Sequence, residues 1–516
     1  MIRSFLTVSS GTLASRLLGF LRDSMIAALL GAGPVADAFL VAFQLVNVTR
    51  RLLSEGALNA ALVPAWLKLR DTDRVAAAAF AGRVLGTISV ALIAITVVIA
   101  VVMPLVITVL APGFAGTETL RLAIDDARLM LPYLAFAGPS TVLLALASGQ
   151  GRFFLTAFSP ILFNIALIAA MVALLSVHRN AGFVAMTLAA TVGIAGLMQV
   201  SMLALSWGEP IVTPLRVSFD PEMRGFLARA IPGMVASSAP QLLIVAGAII
   251  ASSSPSAVSW LYFANRLIEL PLGIVGVAMG TVLIPEMTRA LHGEDKGAVT
   301  NAESRAMELA VGLALPATLG LIALSEPIVR LLFQHGAFTA EDAQSTSDAL
   351  IWLALGLPAH VLVKTLSPAF FAREDTYAPL IATLTGIVVA IVLALLLGHF
   401  LGASGIAAAI AGGAWCNALS MIWRGRATFG FSLDAAARRR LPLITAAALL
   451  MGAPLWLAAD TTMGPNMHGL AQAALLLGLI AAAIAIYCSL LALLGVAGWR
   501  EVVNAVRRGK TGDLRR

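Results

Sequence analysis

Runs of about twenty apolar residues follow one another along almost the whole chain, parted by short breaks rich in Gly, Pro or basic residues. A helix rises about 1.5 Å per residue, so each run is long enough to cross a hydrocarbon core about 30 Å thick. The runs lack the alternation of apolar and polar positions that marks strands. With no water in that core, each segment must satisfy its own backbone, and the runs are therefore read as helices. The pattern predicts fourteen spans, at 5–31, 34–65, 82–111, 121–149, 155–177, 182–207, 224–252, 257–288, 302–333, 342–371, 378–400, 404–423, 442–460 and 469–496. Spans beyond 25 residues must tilt, bend or protrude. The fold class expected is an all-α polytopic membrane protein.

Charge gives the spans a direction. Basic residues fall on alternate breaks: Lys68, Arg70 and Arg74; Arg152; Arg216 and Arg224; Arg289 and Lys296; Arg373; then Arg424, Arg426 and Arg438 to Arg440. The tail adds Arg500, Arg507, Arg508, Lys510, Arg515 and Arg516, whereas the other breaks hold Arg179 as their one interior basic residue. Basic loops stay in the cytoplasm, which places both termini there. The first run carries Arg16 and Arg22. A cleavable leader would not hold two arginines in its apolar region, so this run is kept as the first span.

The chain repeats itself weakly. Ala57-Leu-Asn-Ala-Ala-Leu-Val-Pro64 closes the second span and Ala278-Met-Gly-Thr-Val-Leu-Ile-Pro285 the eighth, an offset of 221 (285 − 64). Gly138-Pro139 matches Gly356-Leu-Pro358, and Gly151-Arg152 with Pro160 matches Ala372-Arg373 with Pro379. Two six-helix lobes are expected, at 1–215 and 216–430, in the parallel-repeat arrangement of transporters. An uncharged hairpin at 431–500 and a basic tail at 501–516 fall outside the repeat.

Composition excludes a soluble protein: 12% of residues are charged, against about 25% in soluble domains, and mean hydropathy is +0.93. Cys416 and Cys488 sit in apolar runs and read as small core or lipid-side residues. No metal-ligand spacing and no nucleophile–base pattern is present, so no cofactor and no enzyme is expected.

Charge within a membrane is costly and marks function. It concentrates in spans 1, 2 and 8: Arg16, Arg22 and Asp23; Asp37, Arg50, Arg51 and Glu55; Asn265, Arg266 and Glu269. Arg22 lies roughly 13 Å in from the turn at Gly31, and Arg50 roughly 20 Å below Asp37. A guanidinium stays charged and grips phosphate oxygens in a bidentate fork, so an anionic ligand is favoured. Internal pairing, of Arg22 with Asp37 or Arg266 with Glu269, is the plainer reading. Arg16 and Arg22 are about 240° apart on a straight helix, so a kink or unwinding near Leu18-Gly19 is expected. His360 and Lys364 are weaker candidates for the same cavity. Glu326 and Arg330 read as a structural i,i+4 pair.

The segments Ser15-Arg-Leu-Leu-Gly-Phe-Leu-Arg-Asp23, Gly31-Ala-Gly-Pro-Val-Ala-Asp-Ala-Phe39, Asn47-Val-Thr-Arg-Arg-Leu-Leu-Ser-Glu-Gly56, Ala264-Asn-Arg-Leu-Ile-Glu-Leu-Pro271 and Gly336-Ala-Phe-Thr339 resemble, in order, the MurJ (MviN) family of lipid II flippases. That family lies in the multidrug/oligosaccharidyl-lipid/polysaccharide exporter superfamily. The resemblance implies fourteen helices around a cationic cavity, with alternating access carrying lipid II from the cytoplasmic to the periplasmic leaflet of the bacterial inner membrane. It implies substrate-binding roles for Arg16, Arg22, Arg50 and Arg266. Asp37, Glu55, Asn265 and Glu269 would support them, with Asp23, Asn47, Arg51 and Lys364 as outer candidates. Where the family often has Asp before the span 8 arginine, this chain has Asn265, and Glu269 is the substitute partner. The last two helices are expected to form a groove for the prenyl tail. The partners implied are lipid II, membrane phospholipids and proteins of cell-wall synthesis or division, with no nucleic acid. The rivals are a polysaccharide-repeat flippase or drug exporter of the same superfamily, and a membrane scaffold. Deep arginines argue against an exporter of cations.

Overall fold

The computed structural model describes residues 2–54, 57–176, 180–206, 212, 215–228, 239–278, 296–371, 373, 375, 377–463 and 469–496. Every regular element among them is helical. In order these are α1 (Ile2–Leu30), α2 (Pro34–Ser54), α3 (Ala57–Thr72), α4 (Arg74–Val101), α5 (Met103–Leu110), α6 (Glu118–Met130), α7 (Pro132–Gly149), α8 (Phe153–Leu175) and α9 (Ala181–Leu205). There follow α10 (Ala239–Ala251), α11 (Ala257–Ala278), α12 (Lys296–Ala323), α13 (Ser325–Phe333), α14 (Ala340–Phe371), α15 (Tyr377–Phe429), α16 (Ala435–Thr462) and α17 (Leu470–Leu493).

Among the described residues nine helices are long and apolar enough to cross a membrane. α1, α2 and α11 are not among the nine, and these carry the charged candidates. Straight, α15 would be about 80 Å long, far beyond a bilayer. It is two helices merged across Gly402 (φ 55°, ψ −132°), at the break expected between 400 and 404. Other spans are divided more finely than the apolar pattern suggests. The run at 82–111 is α4 and α5, meeting at Val102, with Pro104 opening α5. The run at 121–149 changes helix at Leu131, before Pro132, and that at 302–333 changes at Leu324. The second run comprises α2 and α3 on either side of Glu55 and Gly56, which lie outside the described residues.

The joint between α12 and α13 at Leu324 lies 222 residues after the joint between α4 and α5 at Val102 (324 − 102).

The chain forms two compact units. One is Met1–Tyr262 with Phe333–Asp342, the other Phe263–Leu332 with Ala343–Arg516. The division falls inside α11, whose opening bonds to α1 and α2. In the first unit α1 packs on α8, α2 on α6, and α7 on α4 and α9. Segment 215–228 is tied down beside α4. Met223 and Phe226 enter a core with Leu62, Trp66, Phe80 and Leu146. Arg83 reaches Asp220 at 3.0 Å and Glu222 at 2.6 Å. The Met223 backbone N–H, then the Ser218 hydroxyl, hold the Asp220 carboxyl below its ordinary value.

In the second unit α16 packs along α12 and α17, around Leu324, Met451, Leu455 and Leu476. Pro316 lies inside α12 and has no N–H to offer the carbonyl four residues back, at Gly312. The Tyr487 hydroxyl donates to that carbonyl at 2.8 Å, fastening α17 to α12.

Candidate functional site

Two glycine motifs interlock at the end of α1. Gly31 (φ 67°) terminates the helix, and Gly336 (φ 59°) opens the turn before α14. The Ala337 N–H donates to the Ala28 carbonyl at 2.8 Å. A Cβ on Gly336 would sit 2.3 Å from that carbonyl oxygen, and one on Gly31 would sit 2.6 Å from the Ala337 carbonyl oxygen. Only glycine permits both the left-handed backbone and this approach. Thr339 then caps α14 with Asp342 in a reciprocal box, its N–H and hydroxyl donating to the carboxylate at 2.9 and 2.8 Å.

This clasp sets α1 and α2 beside the opening of α11, where three residues within a stretch of four donate to three carboxylates. The Ser259 N–H and hydroxyl donate to Asp37. The Trp260 indole donates to Asp342 at 3.1 Å, and the Tyr262 hydroxyl to Asp23 at 3.3 Å. Asp37 lies in the first turn of α2 and binds the first turn of α11, so two positive helix N-termini face one carboxylate. Asp23 and Asp37 are thus committed to holding α11.

Arg22 is buried, and its partner is not Asp37. Its Nε and Nη2 donate to Asp23 Oδ1 at 2.9 and 2.6 Å, and its Nη1 donates to Asn164 Oδ1 at 3.0 Å. The guanidinium also lies over Phe43 at 5.0 Å and Phe163 at 5.8 Å. Asn164 in turn donates to the Ser15 carbonyl at 3.2 Å. Three of the five guanidinium N–H groups are engaged, which fixes the fork. The unwinding expected at Leu18-Gly19 is absent, for α1 is helical without interruption from Ile2 to Leu30. Arg22 is satisfied on the side of α8, so it has no need to share a face with Arg16. Arg16 is half-buried and, among the described residues, makes no hydrogen bond or ion pair.

Arg50 and Asn47 are half-buried on the last turns of α2, with Arg50 within electrostatic reach of the Tyr133 hydroxyl. Glu55 and the side chain of Arg51 lie outside what is described. In the second unit Arg266 donates to Glu269 at 2.7 Å, the pairing expected from their spacing, and Asn265 is half-buried beside it. Lys364 is exposed on α14. The Glu326–Arg330 pair is present at 3.1 Å. An apolar cavity of about 440 Å³ opens between α12, α14, α15 and α16, lined by Thr318, Trp352, Trp415 and Ala448 among others.

The residues missed in the sequence are the neutral and acidic partners. Asn164 and Ser259 form bonds that single-residue charge depth does not reveal, and Asp126 is buried on α6. An Asp125-Asp126 pair within the apolar run 121–149 was the available signal.

These helices, with buried charge on the elements least suited to lipid, define a membrane transporter fold. An inward-facing structure of a multidrug resistance MATE family transporter of the MOP superfamily shares it, with a TM-score of 0.66 at 17% identity over 84% of this chain and 96% of that one. A structure of lipid II flippase MurJ in an inward closed conformation aligns with a TM-score of 0.77 at 22% identity, covering 96% of this chain and all of that one. The family model of lipid II flippase MurJ matches residues 26–476. A probable lipid II flippase MurJ of Rhizobium meliloti (strain 1021) is 37% identical over 99% of this chain and 97% of its own length. The lipid II flippase MurJ of Burkholderia cenocepacia is 31% identical, over 81% and 82%. The chain belongs to the lipid II flippase MurJ family, a family of transporters rather than enzymes.

Proposed function

We propose that this protein is a lipid II flippase of the bacterial inner membrane. It moves the undecaprenyl-diphosphate-linked peptidoglycan precursor from the cytoplasmic to the periplasmic leaflet by alternating access. The observation that carries the reading is the family match across residues 26–476, joined by relatives that align end to end. Membership of this family, rather than fold, separates it from drug exporters, whose structures share the fold.

In this reading the chain crosses the membrane fourteen times with both termini in the cytoplasm, following its alternating basic loops. Arg16, Arg22, Arg50 and Arg266 bind the diphosphate. Arg16 supports this best, being half-buried without an ion pair among the described residues, while Arg22 is held by Asp23 and Asn164. Asp37, Glu55, Asn265 and Glu269 hold the surrounding helices and cations. The lobes 1–215 and 216–430 move as the transport core, and the hairpin 431–500 offers a groove to the prenyl tail. Ala471, Ala474 and Gly478 on one face of α17 are exposed, and a Cβ at Gly478 meets nothing within 4 Å. Membrane phospholipids and proteins of cell-wall synthesis or division are further partners.

Depletion of the protein in cells, followed by measurement of the leaflet distribution of lipid II, tests the function. Accumulation in the cytoplasmic leaflet is expected, and an unchanged distribution overturns it. Arg16→Ala should abolish rescue of depleted cells at normal membrane levels, with Arg16→Lys restoring part of it, because a point charge loses the bidentate geometry.

A further inference from the structure

Asp126 lies eight residues beyond Glu118 on α6, about 12 Å along the helix. Its neighbour Asp125 is half-buried and reaches Arg121 at 4.0 Å. Asp126 points the other way and is 2% exposed. Among the described residues it has no hydrogen bond and no ion pair, unlike Asp23, Asp37 and Asp342.

Among the described residues, the surroundings offer nothing to balance a charge. α6 packs on α2 and α9, and more lightly on α5, α7 and the turn Pro112–Phe114. α9, α5 and that turn carry no titratable residue. α2 carries Asp37, which is bonded to Ser259, and Arg50 and Arg51 thirteen and fourteen residues further on. α7 carries Tyr133, whose hydroxyl donates to Gln199. On α6 itself, Glu118 is in the first turn and Arg121 faces Asp125. The Arg128 Nε is 3.4 Å from the Ala100 carbonyl. Asp125 adds a like charge beside Asp126.

A carboxylate in so apolar a place, without a partner, is strongly disfavoured. Two species remove its charge. A hard metal cation needs about six oxygen ligands, and no group of three acidic, His or Cys side chains that could hold a metal exists among the described residues. A proton needs only the carboxylate. We propose that Asp126 is a proton-binding site of the first unit, neutral while α6 packs on α2 and α9 and ionised when those helices part and admit water. Proton release thereby favours separation of α6 from α2, the helix that carries Asp37 and Arg50.

Dicyclohexylcarbodiimide modifies carboxyl groups that are both protonated and in apolar surroundings. Applied to the purified full-length protein, with modified peptides identified by mass spectrometry, it should label Asp126 at about pH 7 and spare Asp125 and Glu118. Labelling should fall about tenfold per unit once the ionised form prevails at higher pH. Labelling at about pH 5 that is already lost at about pH 7 overturns the proposal. A second measurement decides the matter if the reagent does not reach the site at any pH. Asp126→Asn fixes the neutral shape, so its melting temperature should exceed that of the wild type by a margin that widens from about pH 5 to about pH 9. Parallel pH profiles for the two proteins overturn the proposal, as does an Asn variant that is less stable at both values.

Discussion

Arg22 and Asp23 show how a buried charge is kept in a membrane helix. Each is nearly inaccessible, and they meet at 2.6 Å within one turn, with Asn164 and Tyr262 taking further positions around them. Removing one member of such a pair leaves an uncompensated charge, which costs roughly 3–5 kcal/mol. Arg22→Ala should therefore lower the thermal stability of the purified protein strongly. Arg22→Ala combined with Asp23→Ala should recover much of the loss, because no lone carboxylate remains. Equal instability of the single and double variants, measured by unfolding in detergent, would show that the pair contributes packing alone. The same physics separates Asp23 and Asp37, which have donors, from Asp126, which has none among the described residues.

At the scale of elements, side chains from distant parts of the chain satisfy backbone that the helices themselves leave open. Tyr487 serves the carbonyl that Pro316 releases, and Asp37 serves the first turn of α11. Tyr487→Phe keeps the ring in its core and removes only the donor. It should lower stability by about 1–2 kcal/mol without preventing membrane insertion, read from melting and from membrane levels. No change in melting would mean that water replaces the hydroxyl. Segment 215–228 depends on ionised carboxylates. Asp220 has its pKa lowered in the folded chain, so its contribution is present at neutral pH and is lost as pH falls through that lowered value. Protection of the 215–228 amides, as exchange relative to the intrinsic rate at the same pH, should fall below about pH 4, and Arg83→Ala should show the lowered protection already at neutral pH.

For the whole molecule, the alternation of basic and neutral breaks makes a topological prediction. A reporter fused after Arg516 should read as cytoplasmic, and one inserted near Gln344 as periplasmic. Both on one side would remove the fourteen-span reading. The repeat adds that paired elements share their break positions. α4–α5 and α12–α13 each join a long helix to a short one, at joints 222 residues apart (324 − 102). A substitution that straightens one joint, such as Pro104→Ala at the start of α5, should slow rescue of depleted cells while leaving membrane levels intact. Unaltered rescue kinetics would show the joint to be inert.

The helical, membrane-spanning class was legible in the sequence because hydrocarbon imposes one rule on every residue of a span: be apolar and satisfy the backbone locally. Helix count along α15, the i,i+3 pair Arg266–Glu269 and the i,i+4 pair Glu326–Arg330 followed from spacing alone, since helical geometry fixes which side chains are neighbours. Partners far apart in the chain were not legible. Arg22 faces Asn164, Asp37 faces Ser259, and Gly31 faces Ala337, each choice made by which helices pack together. Hydropathy assigns a residue its depth but not its direction around the helix. Only tertiary packing decided that Asp23 and Asp37 have donors, that α1 stays helical through Gly19, and that Asp126 is enclosed with nothing among the described residues to balance it.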